Sequence, residues 1–385
     1  MMKSRLAVVL VTAVVLGSLL TLVGTEPTAA GQKSKVLLKN VQHGNPGFKS
    51  IGRMSFGPDG ILLVADPRGA AVVAIDTGDK GPVVKLKKKV ENVKDLVAAS
   101  LGAKPGGATI TDMVVNPKSG KIYLSVKRAD NLSAILTIDA DGKIGKLDLD
   151  NARYVRVTLP GGEKSIVKNI TGVAFAEDRV LAAGQCNEEF ASKIYSLPLP
   201  LTHGSSADIY SAETYHVAHR RWETRAPIQS FIPYKEDGKN YIIGSFACTP
   251  IAKFPLDDLK SGAKVTGASV IELGSGNRPL DMFTYTKNGR KWLVTNTYRF
   301  HFKKNVFGPS KWWGVRVDMG ILASENINKE AARRNTKTKT GPEGVEIMDV
   351  LFGVVEVSKL NDNEIVVLRD REDNGVLDLE LAELP

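Results

Sequence analysis

The chain has 385 residues, a formal net charge of +10 from 52 Lys and Arg against 42 Asp and Glu, and a hydrophobic content of 43%. That is enough apolar material for a sizeable core, and no low-complexity tract indicates disorder. The positive charge comes without a nucleic-acid-binding motif, and the sequence has no CxxCH haem site, HExxH, GxSxG or phosphate-binding loop. We therefore expect no nucleic-acid partner and no c-type cytochrome, zinc protease or serine hydrolase.

Residues 1–30 have the layout of a secretory signal. Lys3 and Arg5 precede an uncharged, almost wholly apolar segment at 6–23, and small residues at 28–30 suit a signal peptidase. The apolar segment is close to the roughly 20 residues that span a bilayer, so a signal anchor is the alternative. We expect a periplasmic or secreted protein with residues 31–385 as one domain. No later segment is long and apolar enough to cross a membrane.

A unit of two apolar runs joined by a turn recurs along the rest of the chain. Copies occupy 51–65, 110–125, 170–184, 228–245 and 280–295, and a degenerate copy begins near Val345. A near-constant spacing of hairpin units is typical of radial or stacked repeat proteins. The spacing predicts an all-β fold, a single β-propeller of six blades, or seven if the stretch 319–385 holds one more.

The first copy predicts four antiparallel strands. Residues 51–56 form the innermost strand, 61–65 the second, 71–76 the third, and the lysine-rich segment 83–90 the fourth. In the second unit, 154–159 is the predicted fourth strand, and third strands are expected at 192–197, 250–254 and 313–318 in later units. Residues 92–107 and 198–211 are then surface loops, and the strand 36–41 closes the ring by pairing with the last blade.

The segments 56–66 (FGPDGILLVAD) and 71–76 (AVVAID) resemble propellers of the broad NHL, YVTN and SMP-30/gluconolactonase type. The resemblance covers the fold across most of the chain and implies a site at one mouth of the central channel. In SMP-30-like lactonases Glu, Asn and Asp from different blades hold a divalent cation, for which calcium suits an oxygen-rich shell. By this resemblance Asp112, Glu188, Asp281 and Asn296 are candidate metal ligands. Arg53 falls near the position of the N-terminal acidic ligand, which is a departure from the family pattern.

Polar and aromatic side chains are expected at the same mouth. Asn187, Glu188 and Glu189 follow the second strand of the third unit, and Arg278 and Asp281 lie by the innermost strand of the fifth. The segment 298–313 places Tyr298, Arg299, Trp312 and Trp313 in a long insertion between second and third strands. Loops on a rigid scaffold concentrate binding residues. We expect replacement of Trp312 and Arg299 to weaken binding with little effect on stability.

The two cysteines, Cys186 and Cys248, occupy nearly equivalent points of neighbouring units. In an exported protein this predicts one disulfide, with two free thiols in metal or redox chemistry as the alternative. His216 and His219 could form a metal pair only on a turn, because residues three apart on a strand face opposite sides.

Three functions remain open. The first is an exported propeller that binds a protein partner or small ligand at one mouth, without recognisable catalytic machinery. The second is a divalent-metal-dependent lactonase or hydrolase of SMP-30-like type, and the third is an accessory subunit of a periplasmic redox system.

Overall fold

The structure, a computed structural model, describes residues 36–162, 165–216, 219–248, 250–273, 276–304, 308–323 and 345–385. The predicted signal at 1–30 lies outside these residues. Within them, no helix is long and apolar enough to cross a membrane. Val36–Pro385 forms one compact unit.

Almost all regular structure in the described residues is β-strand. The first strands in chain order are β1 (Leu38–Lys39), β2 (Gln42–Gly44), β3 (Met54–Phe56), β4 (Ile61–Asp66), β5 (Ala71–Asp76), β6 (Ala108–Val115), β7 (Ile122–Arg128), β8 (Ser133–Ile138), β9 (Ile144–Lys146), β10 (Ala152–Thr158), β11 (Val167–Phe175), β12 (Arg179–Cys186), β13 (Ser192–Pro198) and β14 (Leu201–Thr202). The remainder are β15 (Asp208–His216), β16 (Arg221–Glu223), β17 (Ser230–Glu236), β18 (Lys239–Ser245), β19 (Pro250–Pro255), β20 (Lys264–Glu272), β21 (Asn277–Lys287), β22 (Arg290–Arg299), β23 (Trp312–Asp318), β24 (Val345–Ile347), β25 (Val354–Lys359), β26 (Glu364–Arg369) and β27 (Asp378–Glu383). One α-helix, α1 (Val93–Ser100), lies between β5 and β6.

The sheets have a propeller-like arrangement. Four separate sheets have the form of blades, in the orders β2-β10-β5-β4-β3, β6-β7-β8-β9, β21-β22-β23-β24 and β25-β26-β27. A nine-stranded sheet joins two further antiparallel stacks, β11-β12-β13-β15 and β17-β18-β19-β20, through the parallel pair β15–β20. The all-β expectation is therefore confirmed, as are the third strands expected near 192–197, 250–254 and 313–318.

The core lies between adjacent sheets. Second and third strands are buried on both faces, as in β4, where all six residues are buried, and β5, where five of six are. Their near-continuous apolar sequences follow from this double burial. One cluster unites Leu63 and Ala74 of the first sheet with Val155 of β10 and Val180 of β12.

The outer strand beside β5 in the first sheet comes from the second unit, contrary to expectation. The segment 83–90 is not a strand; its amides donate to turn carbonyls instead, Val84 N to Ser119 O at 2.8 Å and Lys87 N to Ala140 O at 2.9 Å. The fourth place beside β5 is taken by β10, which we predicted in the second sheet. The pattern of β10, with Val155 and Val157 buried, supplies the apolar face that β5 needs and that alternating lysines cannot.

Three other predictions about the periphery are wrong. Residues 92–107 contain α1, whose Val93, Val97 and Ala98 are buried at helical spacing. The segment 36–41 does not close the ring, because β1 pairs in parallel with β14, a strand inside the expected loop 198–211. Val345 begins β24, an outer strand, and the final innermost strand is β25.

Candidate functional site

Six strands, β3, β6, β11, β17, β21 and β25, line a central channel of about 610 Å³. Irregular register in the innermost strands shapes it. In β6, β21 and β25 the pairing with the second strand shifts at Ile110/Asp112, Pro279/Met282 and Val354/Glu356. Such bulges bend a strand and re-aim side chains. They bring Asp112, Asp281 and Glu356 together.

Arg53, directly before β3, lies at the centre of these carboxylates. Its Nη1 atom is 2.6 Å from Asp112 Oδ1, 3.0 Å from Asp281 Oδ1 and 3.2 Å from Glu356 Oε2. Its Nη2 atom donates to the carbonyl oxygen of Leu280 at 3.2 Å. One guanidinium thus connects four different innermost strands. We call Arg53, Asp112, Asp281 and Glu356 the channel cluster.

The carboxylates of the channel cluster also bind backbone of adjacent strands. Met54 N donates to Asp112 Oδ2 at 2.6 Å, and Val357 N donates to Asp281 Oδ2 at 3.0 Å. Each aspartate therefore joins its own strand to the neighbouring one. Hydrogen bonds to charged acceptors are the stronger kind, so the cluster stabilises the ring of strands.

Burial dominates the electrostatics of the channel cluster. Loss of hydration raises the pKa of Asp112 to about 6 even though Arg53 opposes the shift. Burial raises the pKa of Asp281 as well, and burial together with the charge of Asp281 raises the pKa of Glu356 well above its usual range. For Arg53, burial lowers the pKa, but Glu356, Asp112 and Asp281 outweigh this and raise it. Burial therefore makes all three carboxyls of the channel cluster harder to ionise than they would be in water.

The four residues predicted to share a metal are not brought together. Asp112 and Asp281 lie in the channel cluster, but Glu188 pairs with the buried ammonium of Lys193. Asn296 is buried, and its side-chain oxygen accepts a hydrogen bond from Asp281 N at 2.8 Å. A divalent cation among the carboxylates would have to displace the guanidinium of Arg53. The residues present therefore do not fit the lactonase-type metal.

The four residues predicted in a long insertion are strand residues instead, since Tyr298 and Arg299 end β22 and Trp312 and Trp313 begin β23. Their side chains divide into a buried part and a displayed part. Trp313 is buried, donates from Nε1 to Asn277 Oδ1 at 2.9 Å, and has the Arg299 guanidinium 4.6 Å from its ring centre. Arg299 is only 5% exposed, and burial lowers its pKa to about 10. Tyr298 contacts Trp312 at 4.6 Å and Phe300 at 5.9 Å between ring centres. Tyr298, Phe300 and Trp312, which we call the aromatic rim, lie at the end of the sheet.

The other predicted binding residues lie on neighbouring loops. Asn187 Oδ1 accepts from Ile166 N at 2.8 Å, and the exposed Glu189 accepts a hydrogen bond from Thr224 at its carbonyl oxygen. Arg278 is exposed and donates to Gln229 Oε1 at 3.0 Å. The contacts of Asn187 and Glu189 fix the loop between β12 and β13 against neighbouring segments, whereas Arg278, on β21 itself, contacts the residue before β17.

The predicted disulfide is wrong, because both cysteines are free. The thiol of Cys186 lies within its own sheet, 3.5 Å from the Tyr195 hydroxyl. The thiol of Cys248 lies instead beside His216 and His219. Equivalent points of neighbouring repeats are near each other, but the two side chains face different surroundings.

Glu356 was missed by sequence reasoning. An acid followed by an apolar residue marks the innermost strand in 111–113 (TDM), 280–282 (LDM) and 355–357 (VEV), and this recurrence was the available signal. Because we placed the start of the last repeat at Val345, residues 355–357 were not recognised as part of an innermost strand.

No protein-family model matches the chain, and no curated protein is significantly similar to it. Among solved structures, the Bacteroides ovatus xyloglucan PUL GH43B protein is 10% identical over 72% of this chain, with a TM-score of 0.34. The PQQ-bound aldose sugar dehydrogenase of Streptomyces coelicolor is 10% identical over 91% of this chain and 100% of its own, with a TM-score of 0.28. A Trichoderma reesei family AA12 carbohydrate-active enzyme is 12% identical over 89% of this chain and 96% of its own, with a TM-score of 0.32.

The chain spans about half the length of the GH43B protein, 53%. These likenesses are too distant to transfer an activity. The propeller-like architecture follows from the sheet topology described above, and no family assignment finer than that follows from the comparisons.

Proposed function

We propose that this protein is an exported β-propeller that binds a protein partner or small ligand at one mouth of its channel. The proposal rests mainly on the ion pairs within the channel cluster. Its three carboxylates already hold a cation, the guanidinium of Arg53, and two of them also accept backbone hydrogen bonds. Because its charges are already paired within the protein, the cluster serves to join strands. We therefore assign ligand binding to the loops around it.

We propose that the propeller has six blades. The nine-stranded sheet would contribute two, since its two stacks each begin with a channel-lining strand, β11 or β17, and are hydrogen-bonded to each other through the outer strands β15 and β20. With the four separate sheets this gives six innermost strands around one channel. A closed ring of this kind protects strand edges from pairing with other chains.

The aromatic rim is the surface best suited to contact. Phe300 is 44% exposed, and the basic side chains of His301, Lys303 and Lys304 are exposed next to it. Aromatic residues are enriched at the centres of protein interfaces, whose rims are polar, and aromatic faces also stack on planar ligands. The signal-like residues 1–30 support a periplasmic or secreted location, where the partner would be met.

Site-specific photo-crosslinking tests this proposal. A photoreactive phenylalanine analogue replaces Phe300 in one variant and Val83 in the control, two positions of similar exposure at 44% and 48%. Val83 precedes Val84, which bonds to the β6–β7 turn at Ser119, whereas the aromatic rim adjoins a turn between second and third strands. We expect a discrete adduct in the producing cell from position 300 alone. Equal labelling at both positions, or none at either, would contradict the proposal.

A second candidate is a hydrolase that uses the channel cluster for acid–base chemistry. The observation that favours it is the raised pKa of Asp112, about 6, in a channel of about 610 Å³. A general acid or base works best with a pKa near the working pH. Turnover of a panel of sugar lactones that Asp112→Asn abolishes, in protein that remains folded, would favour this candidate over the binding function.

A further inference from the structure

A second cluster of metal-ligating side chains lies outside the channel. His216 ends β15, His219 follows three residues later before β16, and Cys248 lies in the loop between β18 and β19. One ring nitrogen from each histidine and the Cys248 sulfur lie within 4.8 Å of one another. The turn removes the strand geometry that would separate residues three apart.

A carboxylate holds both histidines in place. Glu223 on β16 accepts hydrogen bonds at its two oxygens, from His216 Nδ1 at 2.9 Å and from His219 Nδ1 at 2.7 Å. Arg221 Nε also donates to Glu223, at 3.1 Å from Oε1. With both Nδ1 atoms bonded to Glu223, the Nε2 atoms remain to bind an ion. A carboxylate behind the ligating histidine is the usual outer-shell arrangement of a metal site.

His216 supplies an independent indication. Its side chain is 3% exposed, and its Nε2 atom has no hydrogen-bond partner in the described part of the chain. A buried polar atom without a partner costs free energy and calls for an explanation. An ion bound at Nε2 provides one.

The backbone of Cys248 is fixed independently of its side chain. Cys248 N donates to Asn277 O at 2.6 Å, and its φ of 63° lies in the left-handed region, where glycine would be less strained. Cys248 as a residue is half-buried, unlike the buried Cys186.

We propose that His216, His219 and Cys248 form a transition-metal site that takes zinc or copper. Two imidazoles and a thiolate are a donor set for these borderline ions and not for calcium or magnesium. Cys248 brings one negative charge as a thiolate, and the Glu223 carboxylate behind the histidines also pairs with Arg221 at 3.1 Å. Three protein ligands leave a further coordination position for water or an exogenous ligand. This site is separate from the channel cluster and does not depend on the proposed binding function.

Cobalt(II) titration of the reduced full chain tests the proposal, because a cobalt–thiolate bond gives a charge-transfer absorption that reports the cysteine directly. We expect a band that saturates at one equivalent and is bleached by zinc, which binds such sites more tightly than cobalt. Copper(II) is titrated in parallel, and competition between the two ions identifies the preferred one.

Matched variants locate the site. Cys248→Ala and His219→Ala should abolish the band, and His219, 42% exposed, can be replaced without disturbing the core. Cys186→Ala and His301→Ala, which remove the other cysteine and an exposed histidine, should keep it. Glu223→Gln should weaken the affinity by about 10- to 100-fold. Absence of a stoichiometric band in the wild type, or its persistence in Cys248→Ala, would overturn the proposal.

Discussion

The Nη1 atom of Arg53 lies 2.6 Å from the Oδ1 atom of Asp112, although the two residues belong to different sheets and are separated by a complete hairpin in sequence. The same nitrogen also contacts Asp281 and Glu356. Arg53 therefore occupies the place that a metal ion would have to take among these carboxylates. The strands that line the channel are joined by an ion-pair network that belongs to the protein itself.

Replacing Arg53 should destabilise the fold. Arg53→Met leaves three buried carboxylates without their cation, and removal of one partner from a buried ion pair costs about 3–5 kcal/mol. Chemical denaturation measures the free energy of unfolding. The control is Arg153→Met, whose side chain is 57% exposed and 3.9 Å from Asp76, and which should change the value by less than about 1 kcal/mol. A similar decrease in the free energy of unfolding in both variants would show that the channel cluster contributes no more to stability than an exposed ion pair.

The raised pKa of Asp112 predicts a pH dependence of stability. Its ordinary pKa is 3.8 and its folded value about 6, so between these values the folded state binds more protons than the unfolded state. The stability of the wild type relative to Asp112→Asn should therefore fall as pH rises from about 4 to about 6, by at most about 1.4 kcal/mol per pH unit, and then level off.

Denaturation curves across this pH range check the sign. Asp141→Asn is the control, because a hydrogen bond from Lys87 lowers the pKa of Asp141. Its effect should appear only below about pH 4, where wild-type stability relative to that variant falls as the pH falls. A rise of wild-type stability relative to Asp112→Asn between pH 4 and 6 would refute the assigned direction.

Replacement of Asp66 tests the placement of β10 beside β5 in the first sheet. Asp66 is fully buried and accepts hydrogen bonds from Ser50 N at 2.8 Å, from Gly69 N at 3.0 Å and from Arg156 on β10 at 2.8 Å. Asp66→Ala should lower the free energy of unfolding by about 3–5 kcal/mol, because it leaves buried donors unpaired. Asp76→Ala, at the far end of β5, should cost less than about 1 kcal/mol. Equal costs would argue against the placement of β10 beside β5.

Arg299 should behave as a core residue. Because its guanidinium is buried against Trp313, Arg299→Ala should lower the free energy of unfolding by about 2 kcal/mol or more. Lys304→Ala, at an exposed position after the end of β22, should change the free energy of unfolding by less than about 0.5 kcal/mol. An unchanged melting temperature in Arg299→Ala would restore the expectation that this side chain serves binding alone.

The repeat pattern predicted the hairpins because two apolar runs around a turn are a local feature of sequence. The pattern did not predict that β10, rather than 83–90, is the strand beside β5. That choice depends on which segment offers an apolar face to β5, and β10 is far from β5 in sequence. The aspartates of the channel were predicted from their position in innermost strands. Their contacts with Arg53 and Glu356 could not be predicted, because units far apart in sequence make these contacts only in the folded protein. The cysteines show the same limit, since register predicts nearby backbones but not where the thiols point.

Thermal melting with and without calcium chloride tests most directly whether Arg53 takes the place of a channel metal. We predict no change in the melting temperature of the wild type, and an increase for Arg53→Met, whose three carboxylates, with oxygens within 4.8 Å of one another, then suit a hard cation. A calcium-dependent increase in the wild type that Asp281→Asn abolishes would contradict this account and restore the metal-dependent interpretation of the channel.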